Sequence, residues 1–424
     1  MDITIEKLVY GGDGLAHHEG ATVFVPFVLP AERVRAAAVE RNKKFVRARV
    51  ERLLEAAPER AATRCPHYGV CGGCHYQHIP YQAQLTFKTE ILRETLHRLG
   101  RIDWPGEITL HRSPPWGYRN RAQWKIRGSS KADTSSLGIG YFRAHSTTFC
   151  PVEQCAVLSP LLCKTLDALR LALAEKQLAP ELREIEAFAG ANDTQLLLTA
   201  TFAGLPSRHQ ELVDTLRHAV PEIQSLLFHD PARERMELDG PGYVEAEAAG
   251  LNYRVGHLSF FQVNRFLAGE LAGEVSESAD GGRLALDLFA GVGLLTVPLA
   301  RRFERVVAVE SNPAAARDLE SNTAGQGRIE IRNADVGKFL EKCRDTPERV
   351  VLDPPRAGLT KEVIGQLARI AAPAITYVSC EPPTLARDLA ALRKAGYEVT
   401  RVHLFDLFPQ TFHIESVVCL SRRP

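Results

Sequence analysis

The first 58 or so residues alternate apolar and polar positions with a period of two, which predicts half-buried strands. ITIEKLVY and ATVFVPFVLP are two such runs, separated by the turn signals YGGDG and HEG, and AERVRAAAVERNKKFVRARVERLLE alternates again. The period then changes to that of a helix. IPYQAQLTFKTEILRETLHRLG reads as one amphipathic helix ending at Gly100, with a packing role. From Leu137 to about Val255 strands (LGIGYFR, TQLLLTATF, IQSLLFH, GYVEAEAAGLNYRVG) alternate with helices (LLCKTLDALRLALAEK, RHQELVDTLRHAV), an α+β pattern. After HLSFFQVN, apolar strands and helices alternate to the end, predicting an α/β domain. Its last motif is TYVSCEPPTLARDL. The strand AITYVS delivers Cys380 to two prolines that stop it, and a helix is predicted to resume from Thr384 as N-cap.

The chain has 424 residues, enough for two or three domains, and is 45% hydrophobic and 24% charged, an ordinary globular composition. The formal net charge of +1 makes any nucleic-acid argument a local one. Two stretches supply it. Arg33, Arg35, Arg41, Lys43, Lys44, Arg47, Arg49 and Arg52 crowd the third alternating run. HRSPPWGYRNRAQWKIRGSSK interleaves six cations with Trp116, Tyr118 and Trp124 and holds no acid. Cations beside aromatic faces suit single-stranded RNA, while an amphipathic strand would place Trp124 and Ile126 in a core; alternate faces allow both. No apolar run approaches membrane-spanning length and MDITIEKLVY lacks a signal-peptide core, so a cytoplasmic protein is expected.

Nine cysteines without a signal argue against a disulfide framework. Three of them, Cys65, Cys71 and Cys74, lie within CPHYGVCGGC, where glycines let the loop fold back on a shared metal centre. The fourth ligand is remote, with Cys150 and Cys155 the candidates and Cys163 a poorer third. That distance suits an iron–sulfur cluster better than a zinc ribbon, with zinc the second reading. His67, His75 and His78 read as exposed loop residues.

In RLALDLFAGVGLLTVPLA a strand, a Gly-x-Gly turn and a helix start follow Asp287, and RVVAVESN ends in Glu310, placed for ribose hydroxyls. DxFxGxG in place of GxGxxG, with the later Asp-Pro-Pro of VVLDPPRAG, favours S-adenosylmethionine over NAD.

FFQVN, DLFAGVG, VESN, LDPPRAG, SCEPPTLARD and FPQTFHIESVV together resemble the RNA uracil-C5 methyltransferases across nearly the whole chain. The front segment (GGDGLA, then VFVPFVLPAERV and the basic strand) resembles a TRAM domain, with Ala31 where a glycine is usual. Front segment and cysteine set match the 23S ribosomal-RNA branch. The fold implied is an OB-like TRAM β-barrel (1–58), an α+β iron–sulfur middle domain (59–79 and 116–255), and a Rossmann-like class I methyltransferase domain (80–115 and 256–424). The resemblance makes Cys380 the nucleophile toward uracil C6 and Glu415 the base removing the C5 proton. It assigns Gln262, Phe289, Glu310, Asp335 and Asp353 to S-adenosylmethionine. It gives Cys65, Cys71, Cys74 and Cys155 to a [4Fe–4S] cluster, Cys155 being preferred because QCAVLSP resembles the family's QCP motif. Leu294 stands where relatives carry a small polar residue. The expected partner is RNA bound by a monomer, 23S ribosomal RNA first and transfer RNA second. An exocyclic-amine methyltransferase or a non-catalytic iron–sulfur RNA-binding protein are the more distant readings.

Overall fold

The computed structural model describes residues 1–128, 137–174, 181–206 and 209–423. Its largest sheet has eight strands in the spatial order 329–333, 303–310, 282–288, 349–352, 374–379, 415–422, 397–405, 109–111. The strands from Ile329–Asn333 to Ala374–Ser379 are parallel, and Glu415–Arg422 runs antiparallel to both of its neighbours. Arg349–Leu352 is buried at every position, as a strand covered on both faces must be. One face packs on Leu385, Leu389 and Leu392, the other on Leu271, Ala272 and Val275. This is the α/β architecture expected for the C-terminal part.

Two earlier segments join this sheet. Thr109–His111 adds the edge strand, parallel to Tyr397–Phe405. Helix Tyr81–Gly100 places Ile91, Leu92 and Leu96 in the same core as Leu385. It also carries polar anchors that a packing helix does not need. Lys88 is wholly buried and pairs with the buried Asp406 at 2.6 Å, and Gln84 exchanges hydrogen bonds with Gln410 through both its amide and its carbonyl oxygen. These fix the turn-rich segment 406–414.

The helix after Cys380 begins earlier than the sequence suggests. It spans Pro382–Lys394, with Glu381 at the cap position and the two prolines in the first turn; Thr384 is inside it. Proline at the first helical positions loses no bond, because those N–H groups have no partner in a helix anyway. The two residues that end the strand therefore also start the helix.

Residues 1–55 form a six-stranded sheet, ordered 2–4, 33–41, 45–55, 21–26, 13–18, 7–8. Its turn at Ala31 has φ 65°, a left-handed conformation that disfavours a side chain. Arg33, Arg35 and Arg47 are held in ion pairs, whereas Arg41, Lys43, Lys44, Arg49 and Arg52 stay exposed.

A seven-stranded sheet builds the middle of the chain around Trp124, Leu162, Leu198 and Leu226. GYVEAEAAGLNYRVG is a separate two-stranded hairpin, Tyr243–Ala248 and Leu251–Gly256, turned at Ala249 and Gly250, both with positive φ, and its Val244, Tyr253 and Val255 share a core with Leu271 and Val275 of the C-terminal part. In strand Arg121–Gly128, Trp124 and Ile126 face the core; Arg121 pairs with Glu186 and Lys125 with Glu184. Tyr118 is fully buried too. Of the interleaved aromatics only Trp116 is partly exposed, stacked under Arg64 at 5.3 Å, so Trp124 and Tyr118 offer no face to RNA. Lys131 of that stretch lies outside the described residues.

Candidate active site and thiol-lined cavity

Parallel strands bring their carboxyl ends to one edge, and that edge collects most of the residues singled out above. Phe289 follows Gly282–Leu288, Glu310 ends Phe303–Glu310, Asp353 follows Arg349–Leu352, and Cys380 follows Ala374–Ser379. The antiparallel last strand starts at the same edge. Its register pairs Ser416 with Ser379, which sets Glu415 opposite Cys380.

The turn after Leu288 is shaped for close approach. Phe289, Gly291 and Gly293 all have positive φ, and a Cβ on Gly293 would stand 2.7 Å from Leu319. Glu310 is nearly buried; it accepts from the Gly291 N–H at 2.8 Å and the Asn312 N–H at 2.6 Å. Asp287, fully buried beneath the turn, accepts from Thr296 through one oxygen, while the other has no partner. Gln262 is buried in a loop tied to this tip by the Asn312 amide, which donates to the Leu258 carbonyl. Asp335 stands apart from the others in exposure: it caps helix Val336–Lys342, accepting from the Lys338 N–H at 3.0 Å.

Burial governs the charges here. It pushes the Cys380 thiol up to about 11, helped by the Glu415 carboxylate and opposed by the Arg356 guanidinium. It lifts Asp353 to about 7, with Asp287 adding to the effect, and raises Glu415 well above the carboxylate range. Asp287 is lifted to about 7 by the same burial, the Thr296 hydroxyl opposing. A row of buried acids along the strand tips creates a potential that suits a cationic group such as a sulfonium. The unpartnered Asp287 oxygen and the open glycine turn fit a bound methyl donor.

Four residues around the thiol were not picked out from sequence. Arg356 sits inside the quoted LDPPRAG, where only its proximity to Cys380 reveals it. Glu381 accepts from the Tyr10 hydroxyl at 2.9 Å, so a residue of the N-terminal sheet's first turn reaches the neighbour of Cys380. Phe412 stacks edge-on against Tyr10 at 5.6 Å. The Arg387 and Asp388 of the SCEPPTLARD motif act through structure. Asp388 accepts from the Leu359 N–H at 2.7 Å and the Tyr377 hydroxyl at 2.8 Å, and Arg387 donates to the Ala357 carbonyl at 2.8 Å. Together they fasten the Arg356 loop to the helix that follows Cys380.

A cavity of about 550 Å³ opens next to this edge. Cys65, Cys71, Cys74 and Cys155 line it together with Arg356, Phe412 and His413. Cys150 is buried outside the lining. Burial pushes the Cys71 and Cys74 thiols up to about 12, a bias that a bound cation would reverse. Among the described residues no three of these sulfurs come within 4.8 Å of one another. Tetrahedral zinc would need sulfurs about 3.8 Å apart, at its Zn–S distance of ~2.3 Å. Four thiols lining one cavity are soft donors of the kind that hold a shared metal centre. The flanking histidines are not exposed: His78 is fully buried, bonded to the Tyr68 hydroxyl and the Val28 carbonyl, and His67 accepts from the Glu153 N–H. They brace the cysteine loop against the N-terminal sheet and the Cys155 segment.

Comparison with known proteins places these features in a family. The profile of the tRNA (uracil-5-)-methyltransferases matches residues 332–423, and that of the TRM5/TYW2 methyltransferase domain matches 265–373. A 23S rRNA (uracil(1939)-C(5))-methyltransferase RlmD of Salmonella paratyphi A is 34% identical over 100% of this chain and 96% of its own length. An uncharacterized RNA methyltransferase of Aquifex aeolicus is 32% identical over 99% of this chain and 98% of its own. Among solved structures, the Pyrococcus abyssi tRNA (uracil-54, C5)-methyltransferase in complex with S-adenosyl-L-homocysteine is 26% identical, with a TM-score of 0.76 over 99% of this chain and all of the other. No described helix is long and apolar enough to cross a membrane.

Proposed function

The chain belongs to the RNA uracil-C5 methyltransferases, and from that premise we propose that it methylates C5 of a uridine in 23S ribosomal RNA, using S-adenosylmethionine. The observation that carries the reading is the strand register that sets Glu415 opposite Cys380 at the carboxyl edge, with Arg356 on the thiol.

Uracil C5 is a weak nucleophile. Addition of the Cys380 thiolate to C6 makes C5 an enolate carbon, which takes the methyl group from the sulfonium. Glu415 then removes the C5 proton as a carboxylate, and the Cys380 sulfur leaves C6. Arg356 favours the thiolate. Glu310 would hold the donor's ribose, Phe289 and Gln262 flank it, Asp335 serves at the next strand tip, and Asp353 lies between donor and base. Phe260, exposed beside Gln262, offers a face on which a flipped-out base can stack.

The remaining parts serve RNA binding. The six-stranded sheet is read as a TRAM-type OB-like barrel whose exposed cations, Arg41 to Arg52, follow the phosphate backbone. Cys65, Cys71, Cys74 and Cys155 would hold a [4Fe–4S] cluster, which supplies cross-linking of the middle segments to the catalytic edge.

Transfer of labelled methyl groups from S-adenosylmethionine to 23S ribosomal RNA and to transfer RNA, followed by nucleoside analysis, tests the substrate. The reading expects 5-methyluridine in the ribosomal RNA. Label confined to transfer RNA would replace the substrate but keep the chemistry; label on an exocyclic amine would overturn both.

A further inference from the structure

At the edge strand of the main sheet three segments remote in sequence converge. His111 ends strand Thr109–His111, His403 lies in Tyr397–Phe405, and Glu270 and Glu274 stand one turn apart on helix Ala268–Glu277. One ligand atom from each of His111, Glu274 and His403 lies within 4.8 Å of the other two. We propose that His111, His403 and Glu274 bind one divalent transition-metal cation, with Glu270 orienting His111 from outside the coordination shell.

The donor atoms are already arranged. The His111 ring stacks on Phe405 at 3.8 Å and 3°, which fixes its plane. Its Nδ1 lies 2.6 Å from the Glu270 carboxylate; an N–H donated there leaves Nε2 as a lone pair. A carboxylate that orients an imidazole in this way is the usual outer partner of a metal-bound histidine. His403 is 5% exposed, and its buried Nε2 has no hydrogen-bond partner although Glu274 is 3.5 Å away.

Counting protons shows why a cation belongs there. His111 Nε2 and His403 Nδ1 are 3.1 Å apart. If His403 carries its proton on Nδ1, it satisfies His111 but turns a bare Nε2 toward the Glu274 carboxylate. If the proton is on Nε2, two nitrogen lone pairs face each other. Either neutral form opposes two acceptors. A metal ion takes up the lone pairs with the rings neutral. Tetrahedral zinc with ligands at ~2.1 Å separates them by about 3.4 Å, so three donor atoms that lie within 4.8 Å of one another need only a small closing movement onto the ion. Two imidazoles and a carboxylate select zinc-like ions over calcium and magnesium, which prefer oxygen. Such an ion would pin the edge strand, its neighbour and the helix to one another beside Phe405, the partner of Glu415 in the sheet.

The test uses cluster-loaded enzyme, kept anaerobic so that the four thiols are occupied, titrated with cobalt(II) and zinc and, as controls, magnesium and calcium. The expected result is one equivalent of cobalt with ligand-field bands and no thiolate charge-transfer band, displaced by zinc, and a rise in Tm with zinc alone. Glu270→Gln should weaken binding about 10–100-fold, and His403→Gln should abolish it. Glu274→Gln, at a half-buried position that folding tolerates, should weaken binding at least tenfold with an unchanged metal-free Tm. The proposal is overturned by the absence of saturable binding, or by binding that Glu274→Gln and His403→Gln leave undiminished.

Discussion

Cys380 is a thiol at neutral pH because it is buried beside an acid, and Arg356 is the group that pulls the other way. A nucleophile raised to about 11 is mostly protonated at pH 7, so kcat/KM should climb with pH through the neutral range, by up to tenfold per unit. Arg356→Ala removes the opposing charge and raises the thiol further. The expected loss is roughly tenfold at pH 7, shrinking as pH rises, and partly restored by Arg356→Lys; a pH-independent loss would contradict the role. Glu415→Gln should still permit addition and methyl transfer but slow proton removal by about 10²–10⁴-fold, so that a protein–RNA adduct accumulates on ordinary uridine in denaturing gels. Cys380 was legible because two prolines mark where its strand must stop, and Glu415 by resemblance. Arg356 and Tyr10 were not: nothing in the chain near Tyr10 records that it lies against Glu381, 371 residues on. Ala31 carries its own test. With φ at 65°, Ala31→Gly should stabilise the front sheet by about 1 kcal/mol in denaturant unfolding.

Helix Tyr81–Gly100 holds the segment that leads into Glu415 as well as packing on the sheet. Its buried Lys88–Asp406 pair has no water to replace a lost partner, and Lys88 also donates to the Phe408 carbonyl at 3.0 Å. Lys88→Met should cost ~3–5 kcal/mol, and Lys88→Met with Asp406→Leu should recover much of it, because removing both charges removes the desolvation penalty too. Equilibrium unfolding of the two variants decides this. The helix's limits were readable from its period of 3.6, as were the strands of the main sheet from their apolar runs. Its buried Gln84 and Lys88 were not, since a polar residue on a helix gives no sign of the partner it will meet. The cap of the helix after Cys380 lies three residues earlier than expected for a local reason: a hydroxyl at Thr384 resembles a cap, but proline at the first turn needs none.

At the scale of the whole molecule, the order of parts could be read along the chain, but not how closely they meet. The thiol-lined cavity shares Arg356, Phe412 and His413 with the neighbourhood of Cys380, and Tyr10 and His78 bring the front sheet to the same place. The account therefore expects Cys155→Ser to lose bound iron and Cys150→Ser to retain it, by iron and sulfide analysis. Removing iron should then weaken both the fold and RNA binding, and a cluster-free protein with unchanged unfolding and affinity would contradict a cross-linking role. On the proposed mechanism all these parts serve one event, the bond between Cys380 and uracil C6. The most direct test is to incubate wild type and Cys380→Ala with S-adenosylmethionine and 5-fluorouridine-substituted ribosomal RNA. Fluorine cannot leave C5 as a proton, so wild type should form an adduct that survives denaturation and Cys380→Ala should form none. An adduct undiminished in Cys380→Ala, or methylation by wild type without any adduct, would contradict the account.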